Sequence, residues 1–304
     1  MNFTLRQLRC LLALASEGSV GGAARVLHVT QPTASMQLKD LAEQVGLPLY
    51  EVVSRRVHLT ETGQQLVQTA RAMEDLWENF QQQVAAQKGM KRGSLKVAVV
   101  STAKYFIPRL LGSFCREYPE VELALQVQNR DGVVHRLENN LDDLYIMSQP
   151  PAHVPLHDFV FMKNPLVVIA PVGHPLASRR KIRPERLNSE RFILREPGSG
   201  TRMAVQAHLQ GLHTQQVQWQ VKLELGNNEA IRESVAAGLG LAVLSRYALP
   251  IDPEDAGVCM LNVQGFPIDS HWHVVFPRGK QLSPLAQAFL NILTGGRSES
   301  PRTG

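Results

Sequence analysis

The chain has 304 residues, 44% of them hydrophobic and 19% charged, with a net charge of +5. That suits two or three globular domains with a sizeable core, and it is compatible with nucleic acid without by itself predicting it. No stretch reaches the ~18 apolar residues of a membrane span. Met1 to Gln7 lacks the layout of a secretory leader, and Cys10, Cys115 and Cys259 form no CxxC, so the expectation is a cytoplasmic protein with buried thiols.

In chain order, Thr4 is placed to cap a first helix with an apolar stripe of Leu5, Leu8, Leu12 and Ala15, closed by Gly18. Ser19 can cap a short helix from Val20 to Leu27. Thr30 can cap another, with Pro32 in its first turn and Gly46 at its end. The latter puts Ala34, Leu38, Leu41 and Val45 on one face and leaves a small polar surface on the other. Two short helices joined by a tight turn form a helix-turn-helix pattern. Gln and Ser can donate and accept at base edges, Met36 can meet a thymine methyl, and Arg55 and Arg56, on an expected hairpin, can hold phosphates. The candidate DNA-binding set is Ser19, Gln31, Pro32, Thr33, Ser35, Met36, Gln37, Arg55 and Arg56. Spacing alone fits a helical hairpin in a globular core equally well.

Thr60 opens a long helix reaching about Lys88. Leu66, Ala70, Met73, Trp77, Phe80 and Val84 follow a heptad spacing, which predicts a dimer; a surface helix packed on its own domain is the alternative. A dimer would read two half-sites of an interrupted inverted repeat. Residues 88–93 read as a hinge. Strands are expected over 95–100, 121–127 and 143–147, with helices over 104–117 and 133–139. A second unit follows: strands 166–170, 192–194, 217–225 and 241–244, a short helix at 184–187, a helix from the 197–202 loop to about 209, and one capped by Asn228 running to Ala237. Strand 272–276 and helix 283–293 return to the first unit, leaving a tail from Arg297. The alternation implies mostly parallel sheets.

Such units leave a cleft at the carboxyl ends of their strands. Ser101 and Thr102 open one helix there, and Ser199, Gly200, Thr201 and Arg202 open another. Free N–H groups at helix starts, with Lys104 and Arg202 nearby, favour an anionic ligand; ordinary capped helices are the alternative.

Ala23-Ala24, Thr30-Gln31-Pro32, Ser35, Leu38, Leu41, Glu43, Gly46, Pro48-Leu49-Tyr50, Arg56, Leu59-Thr60 and Gly63 resemble the winged helix-turn-helix of LysR-type transcriptional regulators. Tyr50 stands in place of the usual Phe, and Met36 where many members carry Arg. Ser101 to Gly112, Asn129-Arg130, Asp142 to Met147, Gln149-Pro-Pro151 and Arg195 to Arg202 resemble the RuBisCO operon (Calvin-cycle, CbbR) activator branch, with Ser148 where Gly is expected. The resemblance implies a winged helix-turn-helix at 1–60, a dimerisation helix and hinge at 61–93, and a periplasmic-binding-protein-like effector domain at 94–304. Its subdomain I would take 94–163 and 269–296, and subdomain II 164–268. The candidate effector set is Ser101, Thr102, Lys104, Asn129, Gln149, Ser199, Gly200, Thr201, Arg202 and Asn228. Also implied are carbon-fixation genes as targets, a tetramer built from dimers, RNA polymerase as a candidate partner, and effectors such as ribulose 1,5-bisphosphate, 2-phosphoglycolate or NADPH. No catalytic residue, metal or resident cofactor is expected. The chain has no Walker loop, GxSxG elbow or HExxH, and no Cys or further His lies near His271 and His273. A cytoplasmic solute-binding protein is the rival of a different class, and a LysR-type regulator of another operon the nearer alternative.

Overall fold

A computed structural model describes residues 3–53, 56–88, 91–211 and 217–295, which form two compact units.

In the N-terminal unit, α1 (Leu5–Glu17) starts in a capping box. The Thr4 hydroxyl accepts from the Gln7 N–H, and the Gln7 side chain accepts from that of Thr4. Its buried stripe differs from the expected one. Leu8, Cys10, Leu11 and Leu14 are buried, Leu5 is exposed, and Leu12 and Ala15 are half-buried. The apolar run from Cys10 to Ala15 fits two helical frames that share Leu8, and packing against the next two helices selects one of them.

Ser19 caps α2 (Val20–Val26), and Thr30 caps α3 (Gln31–Val45), which ends at Gly46 with φ +79°. β1 (Tyr50–Val53) and β2 (Arg56–Leu59) pair antiparallel as the wing. α4 (Glu61–Gln87) follows. Its Val67 and Ala70 join Leu8, Leu38, Leu41 and Leu49 in one core, with Leu66 and Met73 packed at its border. Gly63 meets the Leu49 carbonyl so closely that a Cβ would overlap it. Further along the heptad, Trp77 (45%) and Phe80 (53%) are exposed, their rings 5.8 Å apart.

The second unit contains β3 (Arg92–Val100), α5 (Ile107–Glu117), β4 (Glu120–Gln128), α6 (Arg130–Glu138), β5 (Leu144–Met147) and β6 (Leu156–Lys163). Then come β7 (Leu166–Pro171), β8 (Arg191–Arg195), α7 (Gly200–Gly211), β9 (Gln220–Leu225), α8 (Asn228–Ala236), β10 (Leu241–Ser245) and β11 (Val258–Met260). β12 (His271–Pro277) and α9 (Pro284–Thr294) complete it. One sheet has the order β4-β3-β5-β12-β6 and the other β11-β7-β10-β8-β9. β3 runs parallel to β4 and β5, and β8 to β9 and β10, while β6, β7, β11 and β12 enter antiparallel ladders.

β6 and β11 are strands that the sequence pattern does not announce. Both lie at sheet edges, where half-burial weakens the apolar signal, and β11 has three residues. Where a helix from Lys104 is expected, Ser101–Tyr105 forms a 3-10 turn and α5 starts at Ile107. Pro108 sits in the first turn of α5. Inside a continuous helix it would lack the N–H that the Lys104 carbonyl needs.

The chain crosses between the sheets twice, around residues 164 and 269. Asn164 N–H donates to the Ser270 carbonyl at 2.7 Å, and Leu166 forms a bridge with Ile268. Subdomain II is thus inserted between β6 and β12 of subdomain I. Trp272, Tyr145, Phe114 and Phe289 are buried around the first sheet. In the second, Phe192 stacks on Trp219 with centroids 4.0 Å apart.

Candidate nucleic-acid interface and effector cleft

α3 is anchored by Ala34, Leu38 and Leu41, all fully buried. Its other surface presents Gln31, Pro32, Ser35 and Met36 (58% exposed) to solvent, with Thr33 and Gln37 half-exposed. The Thr30 and Thr33 hydroxyls are 2.8 Å apart and hydrogen-bonded, which fixes both at the start of the helix. Ser19 Oγ accepts from Gly22 N–H, leaving its own proton to donate. Arg56 is exposed at the start of β2; Arg55 lies outside the described residues. A helix held on one face and small, polar and uncovered on the other has the form needed to enter a major groove.

In the second unit, a cleft lies between the two sheets at the carboxyl ends of β3 and β8. It holds about 320 Å³ of atom-free space, including its open mouth. Ser101, Thr102, Asn129, Gln149, Ser199, Gly200 and Thr201 of the candidate set line it, and among the described residues no Asp or Glu does. Arg195 ends β8 with 3% of its side chain exposed. Its Nε and Nη2 donate to Glu196 at 2.8 and 2.9 Å, its Nη1 to Asn228 Oδ1 at 2.7 Å, and its Nη2 also to Ser101 Oγ at 3.2 Å. Asn228 in turn donates to Thr102 Oγ1 at 3.2 Å. This network ties the second sheet to the first. Arg130 borders the cleft, its Nε donating to the Gln149 carbonyl at 2.7 Å.

Three candidates are placed differently. Lys104 does not line the cleft and pairs with Glu229 at 2.9 Å. Burial acts to raise the Glu229 pKa, but the hydrogen bond and charge of Lys104 help to bring it below the ordinary carboxylate value. Arg202 is held by Glu224 at 2.9 Å and by the Arg195 carbonyl at 3.0 Å. Asn228 does not cap α8; Asn227 does, accepting from Ala230 N–H, which frees Asn228 to act inside the network behind the cleft wall. The candidate set omits Arg130, Ser148, Asn164, Arg195 and Trp272, all of which line the cleft. The sequence carried two signals for Arg195: it closes the buried apolar strand Phe192-Ile-Leu, and it opens the Arg195 to Arg202 run that resembles the CbbR branch.

Residues 5–64 match the family described as bacterial regulatory helix-turn-helix protein, lysR family, and residues 88–297 match the LysR substrate binding domain. The chain belongs to the LysR family of transcriptional regulators. Its LysR relatives include the HTH-type transcriptional activator CmpR of Synechocystis, 42% identical over 292 residues, 96% of this chain and 95% of CmpR. The RuBisCO operon transcriptional regulator of Acidithiobacillus ferrooxidans is 43% identical over 290 residues, covering 95% and 93% of the two chains. The Synechocystis CcmR regulatory domain, solved in complex with 2-PG, is 46% identical with a TM-score of 0.64, covering 68% of this chain and 98% of that domain. The expected family, fold and branch are therefore borne out: this is a LysR-type regulator of the CmpR and CbbR branch.

Proposed function

We propose that this regulator activates carbon-fixation genes in response to a small phosphorylated anion bound in the cleft between its subdomains. 2-Phosphoglycolate is the first candidate, and ribulose 1,5-bisphosphate and NADPH are the others. The observation that carries the reading is the Arg195–Asn228–Thr102 network beside a cleft lined with donors and, among the described residues, with no carboxylate. An anion there draws on both subdomains at once, so its binding free energy can bias their mutual orientation. Gln31, Pro32, Thr33, Ser35, Met36 and Gln37 face the major groove, and Ser19, Arg55 and Arg56 position the backbone. A cytoplasmic dimer, paired into a tetramer, spans an interrupted inverted repeat through the exposed Trp77 and Phe80 face of α4 and can meet RNA polymerase there.

Fluorescence anisotropy with DNA from upstream of its own gene, at several salt concentrations, tests this. The expected result is sequence-selective binding that one of the three metabolites alters. Selective binding indifferent to all three would refute the effector class, and equal affinity for random DNA would refute the reading of α3.

A further inference from the structure

β12 re-enters the first sheet at His271, and Trp272 is fully buried there. Its ring lies 5.0 Å from that of Phe106 and 6.5 Å from that of Tyr247. The side chain lines the cleft, yet its Nε1–H is buried without a hydrogen-bond partner. Among the described residues lining the cleft, no other side chain has a buried polar atom left unpaired. An indole can only donate, and a buried donor without an acceptor costs about 1–3 kcal/mol. A Phe would supply the apolar bulk without that cost.

Among the described residues no acceptor meets the indole N–H, and the nearby acceptors already have donors. Asn164 Oδ1 is taken by the Ser245 hydroxyl at 2.7 Å, and Thr102 Oγ1 by Asn228. Arg130 and Arg195 are donors throughout. A ligand that completes this wall with an acceptor oxygen would pair the indole.

Building on the effector reading above, we propose that Trp272 Nε1–H donates to an oxygen of the bound oxyanion and selects effectors with an acceptor at that depth. A ligand with a methyl or an N–H there leaves the indole unpaired and is rejected. The contact also places the ligand against β12, the strand by which the chain returns from subdomain II. Trp272 is thus a specificity-determining contact on the subdomain I side, opposite Ser199 to Thr201.

The test uses the full-length, deuterated protein with ¹⁵N-labelled tryptophan. Its three indole resonances belong to Trp77, Trp219 and Trp272, and loss of a peak in Trp272→Phe assigns the third. Titration with 2-phosphoglycolate, then ribulose 1,5-bisphosphate and NADPH, is followed by NMR and calorimetry. The Trp272 resonance is expected to move downfield, and Trp272→Phe to bind roughly 10- to 100-fold more weakly, the range for losing a hydrogen bond to a charged group. Trp219→Phe, whose indole instead donates to the Pro184 carbonyl, is expected to bind as the parent does. If the parent binds but the Trp272 resonance stays in place and the Phe variant binds within about twofold, the indole serves a trapped water and this inference falls alone. If the parent binds none of the three, the effector class and this inference fall together.

Discussion

Replacing Arg195 with methionine keeps most of the stem and removes the guanidinium. The loss is large because that group is 3% exposed and makes four side-chain hydrogen bonds. Glu196, 21% exposed, loses its counter-ion, and the buried Asn228 loses a donor. Removing one partner of a buried pair costs about 3–5 kcal/mol. At roughly 2–4 °C per kcal/mol for a domain of this size, the effector-domain transition should fall by about 6–20 °C. The double variant Arg195→Met/Glu196→Gln should recover part of the loss, because it no longer strands a carboxylate. Differential scanning calorimetry reads both. A single variant melting within about 2 °C of the parent, well short of the 3–5 kcal/mol of a broken buried pair, would refute the reasoning. The network would then be solvated, with no role in joining the subdomains.

Gln31→Ala should weaken binding to the operator by about 1–3 kcal/mol while leaving random DNA almost unaffected, as expected of a base contact. Arg56→Ala should weaken both and lower the salt slope by about one; anisotropy at four salt concentrations separates the two roles. Trp77→Ala with Phe80→Ala should weaken self-association at least thirtyfold in sedimentation velocity, from about 2 kcal/mol for an interface aromatic. His208 on α7 is held below its ordinary pKa by burial. The unfolded chain therefore binds its proton first, so stability should decline as pH falls below about 6.5. Urea melts between pH 5 and 8 should show this slope, flattened in His208→Gln.

Local chemistry made the N-terminal unit legible. Thr4, Ser19 and Thr30 cap the helices where their side chains suggest, and Gly18 and Gly46 end them, because caps involve residues three or four apart. Ser101, Thr102 and Ser199 to Thr201 were readable in the same way, as strand ends followed by helical turns. Lys104 and Arg202 do not line the cleft because each cation pairs with a carboxylate close in space. For Lys104 that is Glu229, 125 residues away in the chain. Arg130, Asn164 and Trp272 reach the cleft from three separate segments, and their convergence is a property of topology with no local pattern.

The insertion of one sheet into the other also sets a timetable for synthesis. β6 lies at the rim of its sheet with β12 as its neighbour, and the ribosome must make all of subdomain II before β12 emerges. At roughly 5–20 residues per second, the wait is on the order of 5–20 s. Throughout it, Phe159, Phe161 and Met162 on β6 lack the strand that will cover that edge. Subdomain II is contiguous and can close first, while subdomain I stays open until the last strand arrives. A nascent chain stalled before His271 would present an unpaired, aromatic β edge, the kind of surface that chaperones bind and that aggregates when they do not.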